Sequence, residues 1–395
     1  MSPDLQAVFA DSHVEHIVNP QRPVSTAAEN DVNSLFLKSD LENSLASISS
    51  WPNYHPTPLR SLDGLARELG VGDIRYKDEG SRFGLGSFKA LGGAYAVKCL
   101  LENSSSGRET ITVASATDGN HGLSVAWGAK TQGCQCVIYI HSEVSKGREQ
   151  ALESQGARVI RVAGNYDDSV RLCHSDAQEN GWTVVSDTSS DQAGDAVAKT
   201  VMAGYSVMVA EIVEQIADRL PTHVFIQGGV GGLAATVCEY FRLTWGAAAP
   251  RFALVEPDLA PCLFTSAKTG NRTSVDVREE TVMAGLSCGE VSNIAWPTLS
   301  RFADDFMTIP DVIVAPTMRL LADAPFDDAP IVAGESAVAG LAGFICATRQ
   351  EDLRLALQLD NDSRVLVIGT EGATDPTLYE SLTGRAVASV RRANI

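Results

Sequence analysis

The sequence predicts an α/β fold: two open, twisted, mainly parallel sheets with helices on both faces and the active site between the domains. Three observations predict it. Strand-like runs alternate with helical patterns of about 10 to 15 residues, an order that demands right-handed crossovers and parallel pairing. Two glycine-containing turns, at 115–122 and 227–234, each stand where a strand-like run gives way to a helical pattern. At 395 residues the chain is also long enough for two sizeable cores.

The elements follow in order. Residues 2–50 are irregular and polar and read as an N-terminal arm. Pro52, Pro56 and Pro58 keep 51–59 extended, because proline disfavours helix in the residue before it. An amphipathic helix is expected over 62–69, stopped by Gly70, and a strand over 74–77. A helical run covers 90–101. Strands at 111–114, 136–140, 158–162 and 183–185, separated by helices at 122–132, 146–155 and 166–180, make a small domain spanning 94–190. A large domain takes 1–93 and 191–395, with a helix at 203–220, a strand at 223–227, a helix at 231–244, a strand at 252–256 and a late buried strand at 365–369.

A formal charge of −18 argues against a nucleic-acid partner, which would call for basic patches. No stretch approaches the roughly 20 uninterrupted apolar residues of a membrane helix, so no membrane role is expected. Residues 1–20 are polar and lack the basic-then-apolar order of a signal peptide, so the expected location is the cytoplasm. The eight cysteines lack metal-ligand spacing and read as reduced core thiols, with no metal.

Lys89 is the most informative residue. Small and apolar neighbours (Gly84, Gly86, Phe88, Ala90) precede and follow a single amine at a helix start. Poor hydration disfavours the ammonium form, and a neutral amine condenses with an aldehyde to a Schiff base. A surface lysine at a helix start is the competing reading.

In the turn after the first small-domain strand, Ser115 and Thr117 supply hydroxyl donors suited to a carboxylate, and Asn120 can bond a phenolic or carbonyl oxygen. Asp118 opposes the anion preference of such a loop; helix capping is its alternative role. His121 reads as structural. Gly228, Gly229, Val230, Gly231 and Gly232 follow a strand and open a helix, a backbone cradle for an anion. The same loop fits a dinucleotide fingerprint, with Glu256 at the end of the next strand. Thr370 ends the last strand, where a hydroxyl could face a ring nitrogen. Loops 283–290 and 333–337 are rich in small residues and fit to wall a flat ligand.

In this order, the amine, the Asn-bearing loop, the glycine loop and the late hydroxyl resemble the fold-type II pyridoxal phosphate enzymes, the tryptophan synthase β superfamily. Within it the chain resembles the diaminopropionate ammonia-lyases over nearly its whole length. Lys77-Asp78-Glu79, Arg82-Phe83-Gly84-Leu85 with Phe88-Lys89, Thr117-Asp118-Gly119-Asn120-His121-Gly122, Asp187-Thr188, Met283-Ala284-Gly285-Leu286 and Thr370-Glu371-Gly372 carry the likeness.

The resemblance implies pyridoxal 5'-phosphate on Lys89, its ring hydroxyl on Asn120, its phosphate on the glycine loop and its ring nitrogen on Thr370. It implies an α,β-elimination of 2,3-diaminopropionate to pyruvate and ammonia, with Lys89 the base for the L-isomer and Asp118 for the D-isomer. Ser115, Thr117, Asp118 and Asp187 would meet the amino-acid substrate. A homodimer is also implied, as is a conditional pairing of Cys262 with Cys288. Two departures stand out. Gly86-Ser87 replaces the family's Asn-Ala, and Ser189 to Asp195 replaces an aromatic-acidic segment, which leaves open a β-lyase or β-replacement enzyme acting on a bulkier β-amino-substituted amino acid.

Overall fold

Alternating hydrophobic runs lay down parallel strands in the computed structural model, which describes residues 1–22, 34–117, 119–188, 192–217 and 219–392. The strands are β1 (Glu15–Val18), β2 (Leu59–Ser61), β3 (Asp73–Asp78), β4 (Thr112–Ala116), β5 (Gln135–Ile140), β6 (Arg158–Arg161), β7 (Thr183–Val184), β8 (His223–Gln227), β9 (Arg251–Pro257), β10 (Asp305–Ile309) and β11 (Arg364–Gly369). The chain divides into two compact units, one of Met1–Leu35, Pro56–Ser81 and Val209–Ile395, the other of Phe36–His55 and Arg82–Met208. The smaller unit is thus wider than 94–190 and includes Lys89.

The larger unit holds a seven-stranded sheet in the order β1-β10-β9-β8-β11-β3-β2. Its five inner strands are parallel, and only the edge strands β1 and β2 run antiparallel. Inner strands buried on both faces should be continuously apolar, and Val224, Phe225 and Ile226 in β8 and Val365 to Ile368 in β11 are all buried. From β8 the chain steps outward through β9 to β10, whereas β11 and β3 lie on the other side of β8. The direction of winding therefore reverses at the β8/β11 pair. A reversal of this kind opens a crevice beyond the carboxyl ends of the strands, where open α/β sheets bind ligands.

The smaller unit holds a four-stranded, all-parallel sheet in the order β6-β5-β4-β7. The helix Lys89–Glu102 lies against the helix Asn120–Gln132 at close range. A Cβ on Gly128 would come within 2.6 Å of the Ala94 Cα, so only glycine permits the approach. On another side, a Cβ on Gly204 would meet the Leu91 carbonyl oxygen at 2.6 Å. Small residues thus lock the helix that begins at Lys89 between two neighbours.

Three expectations change. The polar arm contains a helix at Pro3–Asp11, the edge strand β1 and a helix at Lys38–Ser49; residues 23–33 lie outside the described residues. Burial of Phe9 and Ile48 supplies the apolar anchors that polar composition hid. The helix expected at 203–220 runs instead from Gln192 to Ile216. Within it, 23 residues from Gly194 to Ile216, with a mean hydropathy of 1.4 in their most apolar window, are long and apolar enough to cross a membrane, but 72% of that window is buried inside the fold. β10 was not anticipated, because Asp305 interrupts its apolar run; that carboxylate is buried against Arg251 and His16.

Candidate active site

Lys89 stands at the first turn of its helix, after a loop that holds three left-handed residues, Phe83 (φ 50°), Gly84 (φ 74°) and Gly86 (φ 81°). Left-handed backbone is costly for an aromatic residue, and packing fixes it here: the Phe83 ring lies 4.8 Å from Trp127 and 5.8 Å from Trp51, centroid to centroid. The Ser87 hydroxyl accepts a bond from the Lys89 backbone N–H at 3.3 Å, so the departure at Ser87 serves the helix start.

The Lys89 ammonium donates to the Asp187 carboxylate and lies 5.4 Å from the Phe88 ring centroid and 5.9 Å from that of Tyr205. Its side chain keeps 26% of its exposure. The amine thus faces a carboxylate and two rings rather than the apolar setting its sequence neighbours suggested. Burial would raise the Asp187 carboxyl, but His121 and Lys89 outweigh it and hold the group well below the ordinary carboxylate range. His121 donates from Nε2 to the Val185 carbonyl at 3.0 Å, the sense a carbonyl partner imposes, and turns Nδ1 toward Asp187 at 3.9 Å. Burial lowers the His121 pKa.

The remaining predicted residues of this unit cluster at the end of β4. Ser115 is buried within the strand. The Thr117 hydroxyl accepts from the Gly119 N–H at 3.3 Å, and the Thr117 backbone N–H donates to the Tyr139 carbonyl oxygen at 3.0 Å. Asn120 is the first residue of the helix and is half-buried. Asp118 lies outside the described residues, as do Ser189, Ser190 and Asp191.

In the larger unit the glycine loop follows β8. Gly231 (φ 98°) precedes the helix Gly232–Trp245, and among the described residues no side chain caps it. Uncapped N–H groups at a helix start attract anions. A Cβ on Gly228 would sit 2.6 Å from a Leu263 methyl, and one on Gly229 would sit 3.3 Å from both the Cys288 sulfur and the Gly285 carbonyl oxygen. Loop 283–290 therefore packs on the glycine loop. Gly285 N–H in turn donates to the Ser336 hydroxyl at 3.0 Å, which ties in loop 333–337. Thr370, just past β11, is buried, and its oxygen accepts from Gln227 Nε2 at 2.7 Å.

Glu256 does not serve a ribose. It is buried and accepts the backbone N–H groups of Leu263 (2.8 Å) and Phe264 (2.6 Å), while burial pushes its carboxyl up to about 8. That removes the acid on which a dinucleotide site would depend. Lys77 is likewise internal to the unit: fully buried, it donates to Glu211 at 2.7 Å, to Gln215 at 3.0 Å and to the Thr57 carbonyl at 2.8 Å. Among the described residues the cysteines form no disulfide; the Cys262 thiol donates weakly to the Gly229 carbonyl at 3.5 Å.

Each unit thus offers some of the parts that pyridoxal phosphate requires. The smaller has a partly accessible amine with a carboxylate partner, and the larger has a helix start too tight for side chains and a hydroxyl that accepts from Gln227 and keeps its own proton to donate. Comparison with known proteins agrees. Residues 51–371 match the family model described as "Pyridoxal-phosphate dependent enzyme". The diaminopropionate ammonia-lyase of Escherichia coli K12 is 38% identical over 349 residues, covering 83% of this chain and 87% of that protein.

The chain belongs to the diaminopropionate ammonia-lyase family of pyridoxal-phosphate-dependent enzymes.

The Salmonella typhimurium enzyme of that name is 37% identical over 365 residues, 86% of this chain and 90% of the relative. The crystal structure of the Escherichia coli enzyme with an aminoacrylate-PLP azomethine reaction intermediate superposes with a TM-score of 0.85 at 36% identity, covering 94% of this chain and 97% of that one. Its complex with D-serine gives 0.86 at 34% identity, over 96% and 99% of the two chains. Pyridoxal 5'-phosphate is the cofactor of this family. At 20% identity and a TM-score of 0.72, a tomato threonine deaminase shares the fold.

Tyr205 stands near Lys89 and Gln227 on Thr370, and neither was anticipated. Tyr205 had a signal: Gly92 on one helix and Gly204 on another mark a close crossing, which brings the next residue near Lys89. Gln227 directly precedes the glycine loop, but nothing local distinguishes it from any other strand-end amide.

Proposed function

We propose that this chain is a carbon–nitrogen lyase that removes the β-amino group of 2,3-diaminopropionate, giving pyruvate and, with water, two molecules of ammonia. The observation that carries it is the paired Lys89 and Asp187 in a chain matching diaminopropionate ammonia-lyases over more than four-fifths of its length. When bound, pyridoxal phosphate supplies an electron sink for the carbanion at Cα. Lys89 would hold the cofactor, with Asn120 at its ring hydroxyl, the backbone of Gly228, Gly229, Val230, Gly231 and Gly232 at its phosphate and Thr370 at its ring nitrogen.

The Lys89 amine then takes the Cα proton of the L-isomer, and Asp187 stabilises the resulting ammonium and fixes where its proton sits. Asp118 would take the proton of the D-isomer; the family resemblance supports that role. Ser115 and Thr117 are the proposed partners of the substrate carboxylate, Thr117 through the hydroxyl proton left after it accepts from Gly119. Cysteines outside disulfides suit a reducing cytoplasm, where we place the enzyme as a homodimer.

The experiment is a pyruvate assay on holoenzyme with both enantiomers of 2,3-diaminopropionate, of serine and of bulkier β-amino-substituted alanines, with and without added thiol. Pyruvate formed fastest from 2,3-diaminopropionate supports the reading. Preference for a bulkier analogue, or thiol capture in place of pyruvate, would replace it with the alternative lyase or the β-replacement enzyme.

A further inference from the structure

We infer that Gln227 is a positioning residue that sets which way the Thr370 hydroxyl proton points, keeping Thr370 a hydrogen-bond donor toward a neutral ring nitrogen. The inference rests on the reading of Thr370 given above. It starts from strand register. β8 and β11 are neighbours, with Phe225 opposite Val367, so Gln227 falls opposite Gly369 and next to Thr370.

Gln227 Nε2 lies 2.9 Å from the Ile368 carbonyl oxygen and 2.7 Å from Thr370 Oγ1. A backbone carbonyl can only accept, so the amide atom beside it is the nitrogen. Turning the amide over would set oxygen against oxygen. Both Nε2 hydrogens are therefore committed, one to Ile368 and one to Thr370. Having accepted, Thr370 keeps its own proton for a third partner.

Both side chains are buried, 4% and 5% exposed, which leaves little room for water to redirect either group. Gln227 Oε1 is itself buried with no hydrogen-bond partner among the described residues, so the amide is held by its two donated bonds rather than by its oxygen. A pyridine nitrogen accepts when neutral and donates when protonated. With one of its two lone pairs taken by the amide and its proton still free, Thr370 is set to donate, and a donating hydroxyl favours the neutral form.

The test reads the ring nitrogen directly, by NMR of holoenzyme carrying pyridoxal phosphate labelled with 15N in the ring. The wild-type resonance should stand at the position of a hydrogen-bonded neutral pyridine, and Thr370→Val should move it by removing the donor. In Gln227→Glu an oxygen replaces Nε2 and takes the Thr370 proton, so the resonance should shift toward the pyridinium position. Gln227→Met serves if the glutamate variant does not load. With no amide donor, nothing fixes the direction of the hydroxyl proton, and the resonance should leave its wild-type position.

If Thr370→Val moves the resonance while both Gln227 variants leave it unchanged, the Gln227 inference falls and the Thr370 reading stands. If Thr370→Val leaves it unchanged, the Thr370 reading falls first. A wild-type resonance already at the pyridinium position overturns the inference without any variant.

Discussion

Gly231→Ala places a methyl group where the backbone turns into the glycine-loop helix. At φ 98° an L side chain is strained by about 1–3 kcal/mol. The new Cβ would also stand 2.8 Å from one Leu299 methyl and 3.2 Å from a Leu263 methyl, both on fully buried side chains. Overpacking of that kind adds about 1–3 kcal/mol, and leucine ends that yield keep it toward the low end. The loop relieves both by moving, so at least about 2 kcal/mol should appear as lost phosphate binding, a factor of about 30 in affinity. The assay is absorbance titration of cofactor-free protein with pyridoxal phosphate and, in parallel, with pyridoxal, which lacks the phosphate. Pyridoxal phosphate should lose at least about 30-fold and pyridoxal little. Equal affinity to wild type, or equal losses for both compounds, would refute the argument that this loop cradles the phosphate.

Two more outcomes are expected. Glu256 titrates in the folded protein near 8 rather than at its ordinary 4.5, so the folded state holds the extra proton between those values and stability should fall as pH rises through that window, by about 1.4 kcal/mol per unit; urea unfolding at several pH values should show this slope flattened in Glu256→Gln, and an unchanged slope would contradict it. Asp187→Asn removes a charge-assisted bond worth about 1.5–3 kcal/mol to Lys89, so kcat/KM should fall about 10- to 100-fold with little change in Tm, and undiminished turnover would show that the pair is only structural.

The inner strands were legible because burial on both faces writes them as unbroken apolar runs, as in Val365 to Ile368. The glycine turns were legible because a strand-to-helix loop that closes on a ligand or a neighbour excludes side chains. Edge strands were not: β1 exposes Val18 and carries His16 inward to Asp305, so it shows no alternation to read. The start of the long helix was hidden because Gly194 and Asp195 resemble a loop in isolation, and burial of the rest of the element overrides them. Within the site, residue types were readable and partners were not. Asp187 was assigned to the substrate by resemblance, whereas the fold sets it on Lys89 itself, a contact between residues almost a hundred positions apart.

Reduction of the cofactor-loaded protein with borohydride, followed by peptide mass mapping, reads which lysine holds the cofactor. A phosphopyridoxyl group fixed to Lys89 is expected, with no such label in Lys89→Ala. Label on another lysine, or none at all in the native protein, would contradict it.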